Sequence, residues 1–209
     1  TIPKTAREIQ EATVRGQQIL ADIRVFAAEG QFMFIEPDWV VHSSVKPTPN
    51  TPNDKAFVDG QLWGLHNPKR KDGGAKADID AVRAWNLSTG SSDVVVAVID
   101  TGVRYTHHDL RNQMWINTDE IPNNGKDDDK DGYIDNIYGV DVVNDDGDPM
   151  DDNGHGTHCA GTIGAEANNG HPHVGVAWKV RLMACKFLSA GGSGTTSDAV
   201  KSINWAVAN

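Results

Sequence analysis

Cysteine is scarce in this chain. Only Cys159 and Cys185 occur among 209 residues, too few for a disulfide framework. Long apolar runs are missing as well, and no stretch of eighteen apolar residues is there to span a membrane. The opening decapeptide, TIPKTAREIQ, lacks the apolar centre of a secretory signal, so the chain is either made without one or begins after it. No extended basic patch is present, which removes nucleic acid from the expected partners. What remains is a globular composition, 38% hydrophobic and 23% charged, enough for one or two compact domains with a real core.

The net charge of −10 is concentrated in one place. Between Asp119 and Asp152, 13 acidic residues stand against Lys126 and Lys130, leaving the rest of the chain near neutral. Acidic tracts are commonly solvated or disordered. Here glycines, Tyr133, Ile134, Ile137 and Tyr138 interrupt the tract, as in a folded cation-binding loop. DDDKDGYID places Asp127, Asp129 and Asp131 at the first, third and fifth positions of an EF-hand-type calcium loop. Gly132 then falls at the sharp turn, Tyr133 at the carbonyl position and Asp135 at the ninth. Tyr138 occupies the twelfth place, where that loop carries a bidentate glutamate, so the last carboxylate must come from elsewhere, Asp141 being one source. Five carboxylates between residues 127 and 135 repel one another strongly without a cation, and Ca2+ is the expected one.

Residues 5–28 carry a loose helical stripe of Ile9, Ala12, Val14, Ile19, Ile23 and Phe26. QFMFIEPDWVV, at 31–41, reads as a strand broken at Pro37, and SSVKPTPNTPN, at 43–53, has the composition of a linker. A second region starts near Asp54. Within it DVVVAVID (93–100) reads as a strand buried on both faces of a parallel sheet, and KVRLMACKFL (179–188) as a second. GHGTHCAGTIGA between them reads as a small-residue helix lying close to the sheet. SDAVKSINWAVAN (197–209) reads as an amphipathic helix with Ser197 as N-cap and Val200, Ile203 and Val207 on one face. Strands alternating with helices predict an α/β sandwich around a mostly parallel sheet.

Asp100 ends the first strand, and in open α/β sheets the carboxyl ends of strands are where ligands and catalytic groups gather. It could equally cap the turn into Thr101-Gly102. Hydrophobic-Asp-Thr-Gly also marks aspartic proteases, but those pair two carboxylates, and no second Asp-Thr-Gly or Asp-Ser-Gly occurs. In DDNGHGTHCAGT, His155 stands between Gly154 and Gly156. A zinc site with His158 lacks a third ligand and the glutamate of H-E-x-x-H. A general base needs a carboxylate to set its tautomer and orientation, and Asp100 is the candidate. Cys159, four residues on, reads as a packing neighbour of the ring, and Cys185 as core.

VVVAVIDTGVRYTHHDL, DDNGHGTHCAGTIGA and VGVAWKVRLMACKFL together resemble the consecutive Asp block, His block and following strand of the subtilisin-like serine proteases. The resemblance runs from about Asn53 to the end and keeps the order Asp, then His, with Ser expected later. It implies the subtilisin-like three-layer sandwich, partial in this chain, with His155 as the triad base oriented by Asp100. QFMFIEPDWVVH resembles the last strand of the family's inhibitory prosegment. That implies a short α+β prosegment remnant at 1–42, a linker cleaved during maturation at 43–53, and the N-terminal part of a catalytic domain at 54–209. LSAGGSGTTSDAV resembles the edge on which the family lays an extended peptide, with Gly192, Ser193 and Gly194 beside it. The resemblance also implies a second calcium site. Its ligands would be Asp109, the Asn169 side chain, the carbonyls of Ala167, His171 and His173, and Asp54, although Pro172 replaces the family's usual glycine in that loop.

A peptidase of this family also needs a serine in a Gly-Thr-Ser stretch and an asparagine donor for the oxyanion, and neither motif is present. The implied protein is a secreted or extracytoplasmic, calcium-stabilised endopeptidase acting on proteins or peptides. Its serine and oxyanion asparagine would lie in a remaining C-terminal part of the domain, and this chain alone would be inactive. The competing class is a non-catalytic calcium-binding pseudoprotease that lost the serine. Two buried strands amount to half a sheet, with the flanks of 93–99 and 179–188 expected to lie open, too little to offset chain entropy.

Overall fold

The computed structural model describes residues 50–67 and 77–209. The helix expected over 5–28, the strand over 31–41 and the linker as far as residue 49 lie outside the described residues. Asn50 to Asn53, the end of that linker, are irregular.

Three parallel strands form the sheet: β1 (Gly90–Asp100), β2 (Gly139–Asp141) and β3 (Lys179–Lys186), in the order β1-β3-β2. Four helices accompany them: α1 (Lys55–Val58), α2 (Ala81–Trp85), α3 (His155–Gly164) and α4 (Thr196–Ala208). β3 is central. Its Ala184, Cys185 and Lys186 pair with Val98, Ile99 and Asp100 on one side and with Gly139, Val140 and Asp141 on the other. Gly139 makes the second pairing possible, because a Cβ there would lie 1.7 Å from the Ala184 carbonyl oxygen.

The twofold period of β3 divides the core. Val180, Leu182 and Ala184 pack with Val98 of β1 against Ala160 of α3. Met183 and Cys185 face the other way, onto Val140 of β2 and Trp205 of α4. The result is helix, sheet, helix: an α/β sandwich of three layers. Close approach of α3 is secured at Gly164, where a Cβ would come within 2.4 Å of Val180 Cγ1.

Three expectations need correction. β1 is not buried on both faces, since Val94 and Val95 are 53% and 46% exposed. Among the described residues it pairs only with β3, and the two clusters reach no further back than Val96. Of the two expected strands, only β1 therefore keeps an open flank among the described residues, because β3 is paired on both sides at its C-terminal end. In α4 the N-cap is Thr195, whose hydroxyl accepts the N–H of Asp198, and Ser197 sits inside the first turn. The stripe of Val200, Ile203 and Val207 points outward, 49%, 49% and 83% exposed, while Ser202 and Trp205 face the sheet. Spacing defines a helix face but not the element that meets it.

Candidate active site

Asp100 closes β1 and His155 opens α3. What brings them together is Gly156. A Cβ at that position would lie 2.1 Å from the Gly102 carbonyl oxygen and 3.1 Å from Asp100 Cβ, so only glycine lets the helix start press against the strand end. His155 Nδ1 then lies 2.8 Å from Asp100 Oδ1 and 2.9 Å from Oδ2. Oδ1 also accepts the N–H of Thr101 at 2.7 Å. A carboxylate facing Nδ1 holds the proton there and leaves Nε2 as the basic nitrogen. The imidazole is 66% exposed and the carboxylate only 14%, so the ring is open to a reactant while the carboxylate beside it is sheltered.

Behind the pair runs a network the sequence did not reveal. Thr101 Oγ1 accepts the N–H of Gly156 and donates to Asp151 Oδ1, joining strand end to helix start. Asp151 also accepts the N–H groups of Asn153, Gly154 and Thr157 and the Thr157 hydroxyl. Burial alone would raise its carboxyl, but the bonds from Gly154, Thr157 and Asn153 outweigh burial and hold it at about 2. An anion beside these orphan donors suits a helix N-terminus. In the sequence it was one acid among thirteen.

Cys159 Sγ is 3.8 Å from His155 Nδ1, and burial together with the Asp100 charge pushes its thiol up. A thiol kept protonated is a poor nucleophile. Cys185 is fully buried, its thiol pushed up to about 12 by burial. His158 does not join His155 but lines a separate cavity beside His107 and His173.

The expected substrate edge lies next to the pair. Gly192, Ser193 and Gly194 are exposed, in a turn that Ser189 closes by donating its N–H and hydroxyl to the Ser193 carbonyl. The turn is tied to both halves of the pair. Phe187 and Leu188 donate N–H groups to the Asp100 carbonyl, and Asn153, two residues before His155, donates its amide to the Ala190 carbonyl at 2.8 Å.

In the acid-rich loop, Asp127 and Asp129 come together with Glu120, each offering a carboxylate oxygen within 4.8 Å of the others. Glu120 is buried and accepts the N–H groups of Asp128, Asp129 and Asp135. It was missed in the sequence because it lies upstream of the 127–135 motif and only the folded loop returns it. Asp131 instead faces Asn136, the Tyr133 N–H and the Trp205 indole. Asp135 binds the N–H groups of Asn124 and Gly125, and Asp141 caps its own turn at Val143 and Asn144. The Tyr133 ring packs against the α4 side of the core.

Around the second expected metal site, Asp54 and Asp109 are both buried. Asp109 accepts the Asn169 side-chain amide at 3.0 Å, and Asp54 accepts the Asn168 N–H. His173 Nδ1 is 3.9 Å from Asp109, the His171 ring stacks on His108, and Ala167 sits half-buried in the same loop. Burial, then the nearby Asp109 charge, raises the Asp54 carboxyl above its ordinary range.

Several known proteins are similar to this chain. The sequence model of the subtilase family matches residues 91–209. "Subtilisin-like protease 1" of Plasmodium berghei (strain Anka) is 42% identical over 173 residues, covering 80% of this chain and 27% of that protein. The "Thermophilic serine proteinase" of Bacillus sp. (strain AK1) is 42% identical over 173 residues, covering 83% and 33%. Thermitase of Thermoactinomyces vulgaris is 31% identical over 156 residues, covering 75% and 43%. A solved cold adapted subtilisin-like serine proteinase is 29% identical, with a TM-score of 0.41, covering 71% of this chain and 42% of that one. The chain therefore spans less than half the length of each of these relatives.

Proposed function

The chain belongs to the subtilase family, and from that premise we propose that it is the N-terminal part of a serine endopeptidase that hydrolyses peptide bonds in proteins. One observation carries the reading: His155 Nδ1 within hydrogen-bond distance of both oxygens of Asp100. In the proposed mechanism a serine outside residues 1–209 attacks the scissile carbonyl. His155 takes the serine proton at Nε2 and returns it to the leaving amine. Asp100 holds the Nδ1 proton and stabilises the imidazolium. An asparagine donor from the same outside segment would stabilise the oxyanion. The peptide would lie along Gly192, Ser193 and Gly194, held by main-chain bonds.

That segment also has a place to dock. The flank of β1 that is unpaired among the described residues, with Val94 and Val95, and the outward stripe of Val200, Ile203 and Val207 are apolar surfaces of the kind a further strand and helix layer would cover. We read residues 1–42 as a prosegment remnant and 43–53 as the linker cut during maturation.

Calcium fits the residues present. Glu120, Asp127 and Asp129 gather hard oxygens in one place, and Asp54 and Asp109 are buried carboxylates with no lysine or arginine ion pair among the described residues. When bound, the ion would neutralise these carboxylates and lock the loops that carry them. Loops dependent on calcium suit the secreted or extracytoplasmic setting proposed here.

Labelling the full-length protein with a fluorophosphonate tests the reading. The expected result is one modified serine, beyond residue 209, with loss of peptide hydrolysis. No labelling and no hydrolysis by correctly folded protein would favour the pseudoprotease.

A further inference from the structure

Lys186 is a buried lysine that the mechanism above does not use. It ends β3 between Asp100 and Asp141, its side chain 2% exposed. Its ammonium donates to the Thr101 carbonyl at 2.8 Å, to Asp152 Oδ1 at 2.7 Å and to the Leu188 carbonyl at 3.0 Å. Three donors meet three acceptors, so nothing on the nitrogen is unsatisfied. The acceptors belong to three different segments. Thr101 follows Asp100, Asp152 lies in the approach to His155, and Leu188 begins the turn that holds Gly192, Ser193 and Gly194.

An ion pair with a buried ammonium is a weak source of stability, because desolvation of the charge cancels most of the attraction. An apolar side chain of similar length would fill the space but leave the two carbonyls without that donor and turn the half-exposed Asp152 over to solvent. What the ammonium uniquely supplies is a common anchor for the three segments. We propose that Lys186 is a positioning residue that fixes the substrate edge relative to the Asp100–His155 pair. Peptide binding along the edge then places the scissile bond correctly at His155. This rests on the peptidase reading, and it assigns to one side chain the coupling between remote peptide contacts and the chemical step.

The experiment compares kcat/KM for an extended peptide and for a short activated ester in the full-length enzyme, with active sites counted by fluorophosphonate titration. In the native enzyme the extended peptide gains from edge contacts that the ester cannot make. In Lys186→Met that advantage is expected to fall by about 10²-fold per titrated site, the scale of loss from ångström misplacement, with the ester much less affected. Asp152→Ala removes only the half-exposed partner, 49% exposed, and is expected to lose about tenfold of the same advantage without endangering the fold. A purely structural lysine would lower the number of titratable sites and leave the ratio of the two substrates unchanged. An unchanged ratio in either variant overturns the proposal. Absence of hydrolysis in the native enzyme would instead overturn the peptidase reading itself.

Discussion

Trp205, in the last helix, donates its indole N–H to Oδ2 of Asp131 in the acid-rich loop. Trp205 is also the side chain through which α4 packs on Met183 and Cys185, and its ring meets Trp115 edge-on. The loop that gathers carboxylates and the helix that follows the Gly192–Gly194 turn are thus mechanically joined.

Calcium removal should therefore be felt at α4. An ion at a hundred times its dissociation constant stabilises the folded state by about 2.7 kcal/mol. Excess chelator is expected to lower the melting temperature of the full-length protein and to change the Trp205 emission, isolated as the difference between native protein and Trp205→Phe. Glu120→Gln should weaken the response to calcium. Identical melting curves and emission with and without chelator would remove calcium from the account.

Acid should act through Asp151. Its folded carboxyl, held at about 2, lies below the ordinary value of 3.8, so its contribution is present above pH 4 and lost as pH falls towards 2. Asp151→Ala is expected to be less stable than the native protein at neutral pH, with the difference shrinking between pH 4 and pH 2. Denaturant melts across that range measure it. A difference that stays constant with pH would mean that folding does not hold the Asp151 carboxyl below its ordinary range.

Much of this was legible in the sequence, and the reasons are local. The β-branched run before Asp100 and the glycines around His155 encode a strand end and a tight helix start, and the structure brings the two side chains together as the resemblance implied. The family followed from the same blocks. Burial of β1 was not legible, because an apolar run reports its own hydrophobicity and not whether a neighbour covers it. Glu120, Asp151 and Lys186 escaped notice for one reason. Each acts through partners supplied by other segments, and no spacing rule records those. β2 is only three residues long, too short for periodicity to show.

Residues 1–209 alone are expected to lack peptidase activity and a sharp unfolding transition. β1 leaves its flank unpaired among the described residues, and the α4 stripe is exposed, both liabilities for aggregation. Calorimetry of the chain, alone and with the C-terminal segment supplied, checks this. A sharp reversible transition from the isolated chain would show an autonomous domain.

The most direct test of the central claim, that Asp100 sets His155 as the base of a serine peptidase, is kcat for Asp100→Asn in the full-length enzyme. Asparagine keeps the shape but presents Nδ1 with the wrong partner, so the tautomer is lost. The account predicts a fall of about 10⁴ in kcat on a chromogenic peptide, with little change in folded content. A variant within tenfold of the native rate would contradict it.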